Sequence, residues 1–416
     1  VADTLIVGRF LGADALAAVG SSYTLMTFLT SVLLGLCMGS GAVFSIQFGR
    51  HDTERLKHSV SLSFLLIAAV TFLLNAGALC GLNGIIRLLR VPAQVTGLMK
   101  GYLKIIFWGI GATFCYNFFA CLLRSIGNST IPLLFLGGAA ILNIALDLLF
   151  VLQFHWGVRG AAAATVIGQI GGMALGFVLN QLKNRELKVV WRGFHPDPSV
   201  FKSILAVGFP SIIMQSISSF MNVLMNLILI AYGNTAVSVL GVYFKLQSFV
   251  FMPVFGLNNG ITPIIAYNYG AGQRKRMLKT IKLSMLVAFC LTFIGFLCFE
   301  GIPQILLGMF NASNEMLTIG VPALRIIGIH YLIAWFCIVS GTVFQALGKA
   351  FFSMIVSIMR QLFVLIPAAY ILAKLGGLHV VWWSFPIAEV ISLMVSSFFL
   401  VRINRTIISR VPEGKL

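Results

Sequence analysis

Three acidic residues of this sequence lie within long apolar stretches, where a carboxylate needs a specific reason to be present. They are Asp3, Asp147 and Glu389, whereas the other eight acids fall in polar segments or at the edges of apolar stretches. An Asp at the centre of a membrane helix costs about 2.5 to 3.5 kcal/mol to insert, so it is a functional hypothesis by default. Asn143 precedes Asp147 by one helical turn, and the two therefore present an amide and a carboxylate on one face.

Four side chains in the first half of the chain can supply the oxygens of an ion site. They are Asp3, Asn143, Asp147 and Thr165, which offer carboxylate, amide and hydroxyl groups. Hard oxygen ligands suit Na⁺, and two neighbouring carboxylates can share a proton, so these residues predict an ion-coupling site for H⁺ or Na⁺ without choosing between them. The alternative is that Asn143 and Asp147 only hydrogen-bond neighbouring helices and stabilise the bundle.

A second set of polar residues is predicted to line a substrate cavity. Its members are Asn117, Gln215, Asn222, Gln247 and Glu389. Each amide alone more often hydrogen-bonds a neighbouring helix, and Glu389 is as readily explained by an ion pair with a cation such as Arg360. The sequence has no H-E-x-x-H motif, no Cys/His metal spacing and no recognisable pair of nucleophile and base, so we predict neither an enzyme nor a cofactor.

The composition places these residues in a membrane. Of the 416 residues, 59% are hydrophobic and 10% are charged, whereas soluble domains have about 45 to 50% apolar and about 25% charged residues. A spanning helix takes about 20 residues, so the length fits about twelve spans and excludes a sizeable soluble domain. Breaks in the apolar pattern predict spans near residues 1–10, 21–48, 58–80, 93–122, 131–153, 160–182, 200–232, 236–268, 278–301, 315–346, 350–374 and 380–402.

An internal repeat relates the two halves of the chain. At a constant offset of 221 residues, six glycines meet glycines where chance predicts roughly two; the pairs are Gly12/Gly233, Gly20/Gly241, Gly35/Gly256, Gly39/Gly260, Gly49/Gly270 and Gly127/Gly348. Each repeat has six spans, so both have the same topology. The predicted domains are an amino-terminal lobe of residues 1–182, a cytoplasmic linker of residues 183–199 and a carboxy-terminal lobe of residues 200–416.

The same offset sharpens the prediction for the acidic residues. The offset aligns Val1 with Asn222, whereas the seventh span already begins near Val200. We therefore expect the start of helix one to be missing and Asp3 to lie inside a membrane helix. Asn143 and Asp147 correspond to Val364 and Ala368 in the second repeat. The repeat symmetry is therefore broken where the ion chemistry would be, which favours a functional role.

The formal charge of +18 follows from orientation in the membrane. Of the 29 Lys and Arg residues, 19 fall in the loops and termini that an even number of spans places on one side, and the bias of basic residues makes that side cytoplasmic. A nucleic-acid partner would need a soluble basic surface, which the sequence lacks. We predict a multi-pass protein of a prokaryotic cytoplasmic membrane with both termini in the cytoplasm.

The assembled segments resemble those of multidrug and toxic compound extrusion transporters. They are residues 1–12 (VADTLIVGRFLG), residues 124–128 (RSIGN) with their counterpart 345–349 (QALGK), and the Asn143-x-x-x-Asp147 motif. The resemblance covers essentially the whole chain and implies two six-helix lobes that form a V around a central cavity. It also implies antiport, in which cationic or amphiphilic drugs and toxic compounds are exported in exchange for H⁺ or Na⁺.

Carried over to this sequence, the family's amino-lobe cation site falls on Asp3, Asn143, Asp147 and Thr165. Helices seven and ten lack the acids of some relatives, so the chain resembles the DinF-like branch. The resemblance implies small amphiphilic substrates, contact with membrane lipid and a monomer.

Two other functions remain open at this stage. One is a lipid-linked oligosaccharide flippase of the same superfamily, in which Lys104, Lys245, Arg325 and Arg360 would contact a pyrophosphate; twelve rather than fourteen spans argue against it. The other is a membrane receptor or structural protein, which would leave the acids of the first half without a purpose.

Overall fold

The computed structural model describes residues 2–88, 93–183, 197–310 and 313–412, and within these ranges it contains helices but no strand. A bilayer offers no water to hydrogen-bond the backbone, so each apolar run must satisfy its own N–H and C=O groups, and a helix does this. Ten of the described helices are long and apolar enough to cross a membrane, or eleven when one bent pair is counted as a single span. The predicted all-α membrane architecture is confirmed.

Six α-helices are present in the described part of the first half. They are α1 (Ala2–Phe10), α2 (Ala13–Gly49), α3 (Thr53–Leu88), α4 (Ala93–Ser125), α5 (Thr130–Leu148) and α6 (Gly157–Lys183), and α5 continues into a π-helical segment, Leu149–Gln153. The nine described residues of α1 coincide with the short first span that the sequence predicts.

The described residues of the second half form ten α-helices because several spans are interrupted. They are α7 (Pro198–Leu229), α8 (Asn234–Gly270), α9 (Arg274–Gly301), α10 (Pro303–Gly308), α11 (Asn314–Gly328), α12 (Tyr331–Ala346), α13 (Ala350–Ile358), α14 (Ile366–Gly376), α15 (Leu378–Val381) and α16 (Ser384–Thr406). A π-helical segment, Met359–Leu365, joins α13 to α14. The tenth predicted span is broken between α11 and α12, whose axes differ by 51°.

The chain divides into two compact units. The first comprises Val1–Phe44 and Asp52–Leu205, and the second comprises Ser45–His51 and Ala206–Leu416. Helix α6 packs against α4 and α5 in the first unit, whereas α9 packs against α8 and α12 in the second. Most of the predicted linker, residues 184–196, lies outside the described part of the chain, so the domain boundaries remain a prediction.

Two glycines related by the repeat, Gly49 of α2 and Gly270 of α8, lie at a close helix crossing in the described part of the second unit. A Cβ at Gly49 would lie 2.1 Å from the carbonyl oxygen of Tyr267, and a Cβ at Gly270 would lie 2.1 Å from that of Ile46. The ring of Phe48 packs on that of Tyr267 beside this crossing. Small residues allow helix backbones to approach in this way, and the paired glycines are the feature that first indicated the repeat.

We expect Gly49→Ala or Gly270→Ala to lower the stability of the protein, because the added methyl group would collide with a backbone carbonyl that cannot move alone. Overpacking of this kind costs about 1 to 3 kcal/mol. Thermal unfolding in detergent would measure the loss. Gly260→Ala is the matched control, since a Cβ there meets no atom within 4 Å on the same helix as Gly270. Equal midpoints for all three variants would contradict the close crossing.

Candidate functional site

Helices α5 and α6 bring two of the predicted ion-site residues into contact. The amide Nδ2 of Asn143 donates to the hydroxyl of Thr165 at 3.4 Å, and that hydroxyl donates to the carbonyl oxygen of Ala161 at 3.1 Å. These two hydrogen bonds fix the orientation of the Asn143 amide and of the Thr165 hydroxyl. An ordered amide and hydroxyl next to a carboxylate have the chemistry that an alkali cation or a proton relay needs.

The close approach of these helices depends on a glycine. A Cβ at Gly168 of α6 would lie 3.0 Å from the Cβ of Asn143 and 3.1 Å from the carbonyl oxygen of Ala139. A side chain at this position would therefore require α5 or α6 to shift by a few tenths of an ångström. Gly168 lies three residues after Thr165 on the same helix, so the residue that permits the packing also permits the hydrogen bond between Asn143 and Thr165.

Asp147 lies one turn beyond Asn143 and is fully buried, with 0% of its surface exposed. The helix changes to π geometry immediately afterwards, at Leu149–Gln153. Isolated π turns inside α-helices are frequent at functional sites, because the extra residue shifts the phase of the helix and frees backbone groups. A buried acid, an ordered amide and hydroxyl, and an irregular turn thus occur together in the first unit.

Helix α1 is packed against the elements that carry this cluster, namely α5, α6 and the π-helical segment. Asp3 belongs to the first turns of α1, but its side chain lies outside the described part of the structure. The backbone therefore brings the helix of Asp3 to the helices of Asn143, Asp147 and Thr165. Participation of the Asp3 carboxylate stays a prediction.

The second unit contains a cavity of about 390 Å³. Its wall combines apolar and polar side chains; the apolar ones include Phe244, Phe251, Phe255 and Phe385, and the polar ones include Asn222, Gln247, His330, Arg360, Gln361 and Glu389. Ligand sites for small molecules have this size and this mixture of a mostly apolar wall with a few convergent polar groups.

The cavity contains a buried ion pair. Nη1 of Arg360 donates to Oε2 of Glu389 at 3.2 Å, and 3% of the Glu389 side chain is exposed against 29% of the Arg360 side chain. Arg360 and Gln361 lie in the π-helical segment Met359–Leu365, whereas Glu389 lies on α16. The ion pair that the sequence offered as one interpretation of Glu389 is present, and it lines the cavity.

His330 occupies the break between α11 and α12. Its Nδ1 lies 2.6 Å from the carbonyl oxygen of Ile327, and because a carbonyl can only accept, Nδ1 must carry the hydrogen. The other ring nitrogen, Nε2, is then the one that can gain or lose a proton. Non-helical backbone at membrane depth is tolerated where it is buried in protein or lines a cavity, and His330 lines this one.

The predicted cavity residues fall into two groups. Asn222, Gln247 and Glu389 line the cavity of the second unit, where Nε2 of Gln247 donates to the Tyr243 hydroxyl at 2.8 Å. Gln215 is exposed and is not part of that lining. Asn117 belongs to the first unit, where its amide donates to the carbonyl oxygen of Thr113 at 2.8 Å.

His330 was not among the predicted site residues, and Arg360 was predicted only as a partner of Glu389 or as a pyrophosphate contact, although the repeat contains a signal for both. At the offset of 221 residues, His330, Arg360 and Glu389 correspond to Gly109, Ala139 and Gly168. Three small residues of one repeat are thus replaced by three titratable residues of the other. The contact between Gly168 and Ala139 and the ion pair between Glu389 and Arg360 show that these positions are neighbours in both units.

Comparisons with known proteins agree with one another. The family model for MatE matches residues 1–149 and 210–371. The probable multidrug resistance protein YoeA of Bacillus subtilis is 27% identical over 402 residues, which cover 94% of this chain and 86% of the relative. The multidrug export protein MepA of Staphylococcus aureus is 28% identical over 405 residues, which cover 94% of this chain and 88% of the relative.

Solved structures show the same fold. A crystal structure of a MATE protein in the bent conformation superposes with a TM-score of 0.91 at 21% identity, covering 97% of this chain and 91% of the other. The Vibrio cholerae MATE transporter VcmN in the bent form gives a TM-score of 0.91 at 19% identity, covering 97% and 92%. At these identities the likeness concerns the fold.

Proposed function

The chain belongs to the MatE family of multidrug transporters, and on that premise we propose that it exports cationic or amphiphilic drugs by antiport with H⁺ or Na⁺. As a member of the family it is a transporter of small molecules, not an enzyme, and a multi-pass protein of the bacterial cell membrane. The identity of the coupling ion, the residues that bind it and the chemical class of the substrate are the parts that we propose.

The observation that carries the proposal is the burial of Asp147 beside an ordered polar network. Asp147 has no exposed surface, and Asn143, one turn away, is held by Thr165. An ionisable group at this depth is expensive, and in membrane proteins such groups mark ion and proton pathways. Na⁺ would be coordinated by the Asp147 carboxylate with amide and hydroxyl oxygens, whereas H⁺ would be carried by the carboxylate itself.

Coupling to a single ion is sufficient for useful export. One elementary charge that crosses a potential of 100 mV releases about 2.3 kcal/mol, and this free energy supports roughly 50-fold accumulation of a neutral substrate. In the proposed cycle, an ion that enters from outside neutralises the charge at Asp147 and changes the packing of α1 against α5 and α6. That change favours release of the substrate to the outside.

The orientation and assembly are also part of the proposal. The excess of basic residues on one side supports a cytoplasmic location for both termini. We propose that the protein acts as a monomer in contact with membrane lipid.

Transport by the purified protein in proteoliposomes tests the proposal directly. A pH gradient and a Na⁺ gradient are imposed separately, and export of a fluorescent amphiphilic dye is followed. We expect one gradient to drive export and the other to have little effect, because a proton and a Na⁺ ion cannot occupy the Asp147 carboxylate at the same time. Export that is independent of both gradients would contradict antiport.

The flippase alternative receives little support from the basic residues on which it depended. Arg360 is paired with Glu389, Arg325 lies 4.0 Å from the Glu300 carboxylate, and the Lys245 ammonium lies over the Phe310 ring. Neither Arg325 nor Lys245 is among the residues that line the cavity with Arg360.

A further inference from the structure

The charges of the second unit's cavity indicate a more specific ligand than a simple organic cation. This inference rests on the transport function proposed above and deepens it. We propose that the cavity binds a zwitterionic aromatic amphiphile, whose carboxylate contacts Arg360 and whose cationic group lies near the side-chain oxygens of Gln361 and Glu389.

The wall suits an aromatic body. Phe244, Phe251, Phe255 and Phe385 contribute four rings to the lining, and Met221 and Leu365 add flexible apolar surface. Aromatic pairs gain about 0.5 to 1.5 kcal/mol beyond the burial of their area, so a planar ligand is favoured over an aliphatic one of the same size. The apolar part of the wall gives affinity without distinguishing between net charges.

The guanidinium is the half of the ion pair that a ligand can reach. The Arg360 side chain is 29% exposed whereas that of Glu389 is 3% exposed, so the carboxylate lies behind the cation. Of the five N–H donors of an arginine, the described residues engage one, in the bond from Nη1 to Glu389. The remaining donors can hold a second carboxylate, and Arg is the residue best suited to such a planar contact.

Two buried oxygens lie beside the guanidinium. Oε1 of Gln361 and Oε1 of Glu389 are buried and have no hydrogen-bond partner among the described residues, and both residues line the cavity. Gln361 is 6% exposed overall. A buried acceptor without a partner is unfavourable, and these two oxygens have almost no accessible surface, so a ligand's positive charge near them acts through electrostatic attraction rather than through a direct hydrogen bond.

The net charge of the lining decides between ligand classes. Arg360 and Glu389 cancel, and the third titratable group of the lining, His330, is uncharged when Nε2 is unprotonated. A monocation would bring an uncompensated charge into a site of low dielectric constant, which is costly. A zwitterion brings none, and its dipole can lie antiparallel to that of the ion pair. A zwitterion is therefore the best match, and its ester, which is a cation, is a poor one.

Helix packing alone does not require this polar lining. In the first repeat the corresponding positions are Gly109, Ala139 and Gly168, and the equivalent helices α4, α5 and α6 pack closely with no charged side chain at these three positions. The second unit has the same topology but carries His330, Arg360 and Glu389 at these positions. The charges therefore serve a purpose other than holding the helices together.

Equilibrium binding of two matched dyes tests the proposal. Rhodamine B is an aromatic zwitterion, and its ethyl ester has the same rings but a net positive charge. Each is titrated against the purified full chain in lipid nanodiscs, without any ion gradient, and followed by fluorescence anisotropy. We expect rhodamine B to bind about tenfold more tightly than the ester, the size of one charge-assisted contact.

Variants assign the preference to the ion pair. The double variant Arg360→Gln/Glu389→Gln keeps a polar side chain at both positions and leaves no unpaired charge, and it should weaken rhodamine B about tenfold while changing the ester little. The control Glu300→Gln/Arg325→Gln makes the same exchange at a half-exposed pair outside the cavity, and it should leave both affinities unchanged. Arg360→Lys keeps the charge but loses the planar fork, so rhodamine B alone should bind several-fold more weakly.

Three results would overturn the proposal: no binding of rhodamine B to the wild type, equal or tighter binding of the ester, or a preference that persists in the double variant. If the double variant does not fold, unchanged binding of rhodamine B by Arg360→Lys overturns it instead. Because no gradient is applied, the test is separate from that of antiport. If export does not depend on an ion gradient but rhodamine B still binds more tightly than its ester, antiport is refuted while the proposed ligand site in the cavity is supported.

Discussion

Asp147→Asn is expected to abolish ion-driven export while the protein still inserts and folds. Asparagine has the shape of aspartate and retains its hydrogen-bonding capacity, but it can neither release a proton nor supply the negative charge that attracts Na⁺. The variant should therefore fail with either coupling ion. Dye export in everted vesicles should fall from the roughly 50-fold accumulation available to one charge at 100 mV to the level seen after the gradient is collapsed.

The matched control for this substitution is Asp14→Asn. Asp14 lies in the first turn of α2 and is exposed, so the same loss of charge in the same unit should leave export unchanged. Protein amount in the membrane and elution as a single species from a size-exclusion column separate a loss of coupling from a loss of folding. Full export by Asp147→Asn would mean that this buried acid only joins helices.

Removal of one member of the Arg360–Glu389 pair is expected to have the largest effect on stability. Arg360→Gln leaves a carboxylate that is 3% exposed without its cation, and Glu389→Gln leaves a partly buried guanidinium without its anion. Loss of one partner from a buried pair costs about 3 to 5 kcal/mol, mostly because of the charge that remains. The double variant should recover most of that free energy, since two neutral amides can hydrogen-bond each other.

A double-mutant cycle on the free energy of unfolding in detergent measures this recovery. The exposed pair Arg325 and Glu300, whose atoms are 4.0 Å apart, is the reference, and its cycle should give a coupling of at most about 1 kcal/mol. If the two cycles gave the same small value, the Arg360–Glu389 pair would behave as a surface salt bridge, and the cavity would be more hydrated than its burial indicates.

The positions of the spans were predictable because each is a long apolar run, and such a run forms a helix in a bilayer to satisfy its backbone hydrogen bonds. The interruptions were less predictable. The sequence between Ile326 and Tyr331 is apolar apart from His330 and contains one glycine but no proline, so it gives only a weak signal for the 51° bend between α11 and α12. Gly328 packs against Phe299, and a Cβ at Gly328 would lie 3.1 Å from the Cβ of Phe299. Packing between helices, which a local pattern does not encode, thus accompanies the break.

The polar residues were easy to single out but harder to place. Asn143 and Thr165 are in contact as predicted from their half of the chain. Gln215, in contrast, is exposed. Its position was not predictable because apolar residues occur on every face of α7, so the sequence does not indicate which face is buried. His330 was overlooked since a lone histidine in an apolar run is usually a core residue. Comparison of the repeats position by position would have aligned it with Gly109.

The distribution of polar residues between the repeats has a consequence for kinetics. Asn143, Asp147 and Thr165 belong to one unit, and His330, Arg360 and Glu389 belong to the other, so no side chain serves both clusters. Under the proposals made here, a coupling ion and a substrate do not compete for a shared ligand atom. Raising the ion concentration should then change the maximal rate as well as the apparent KM, and inhibition of dye export by the ion should be mixed rather than purely competitive.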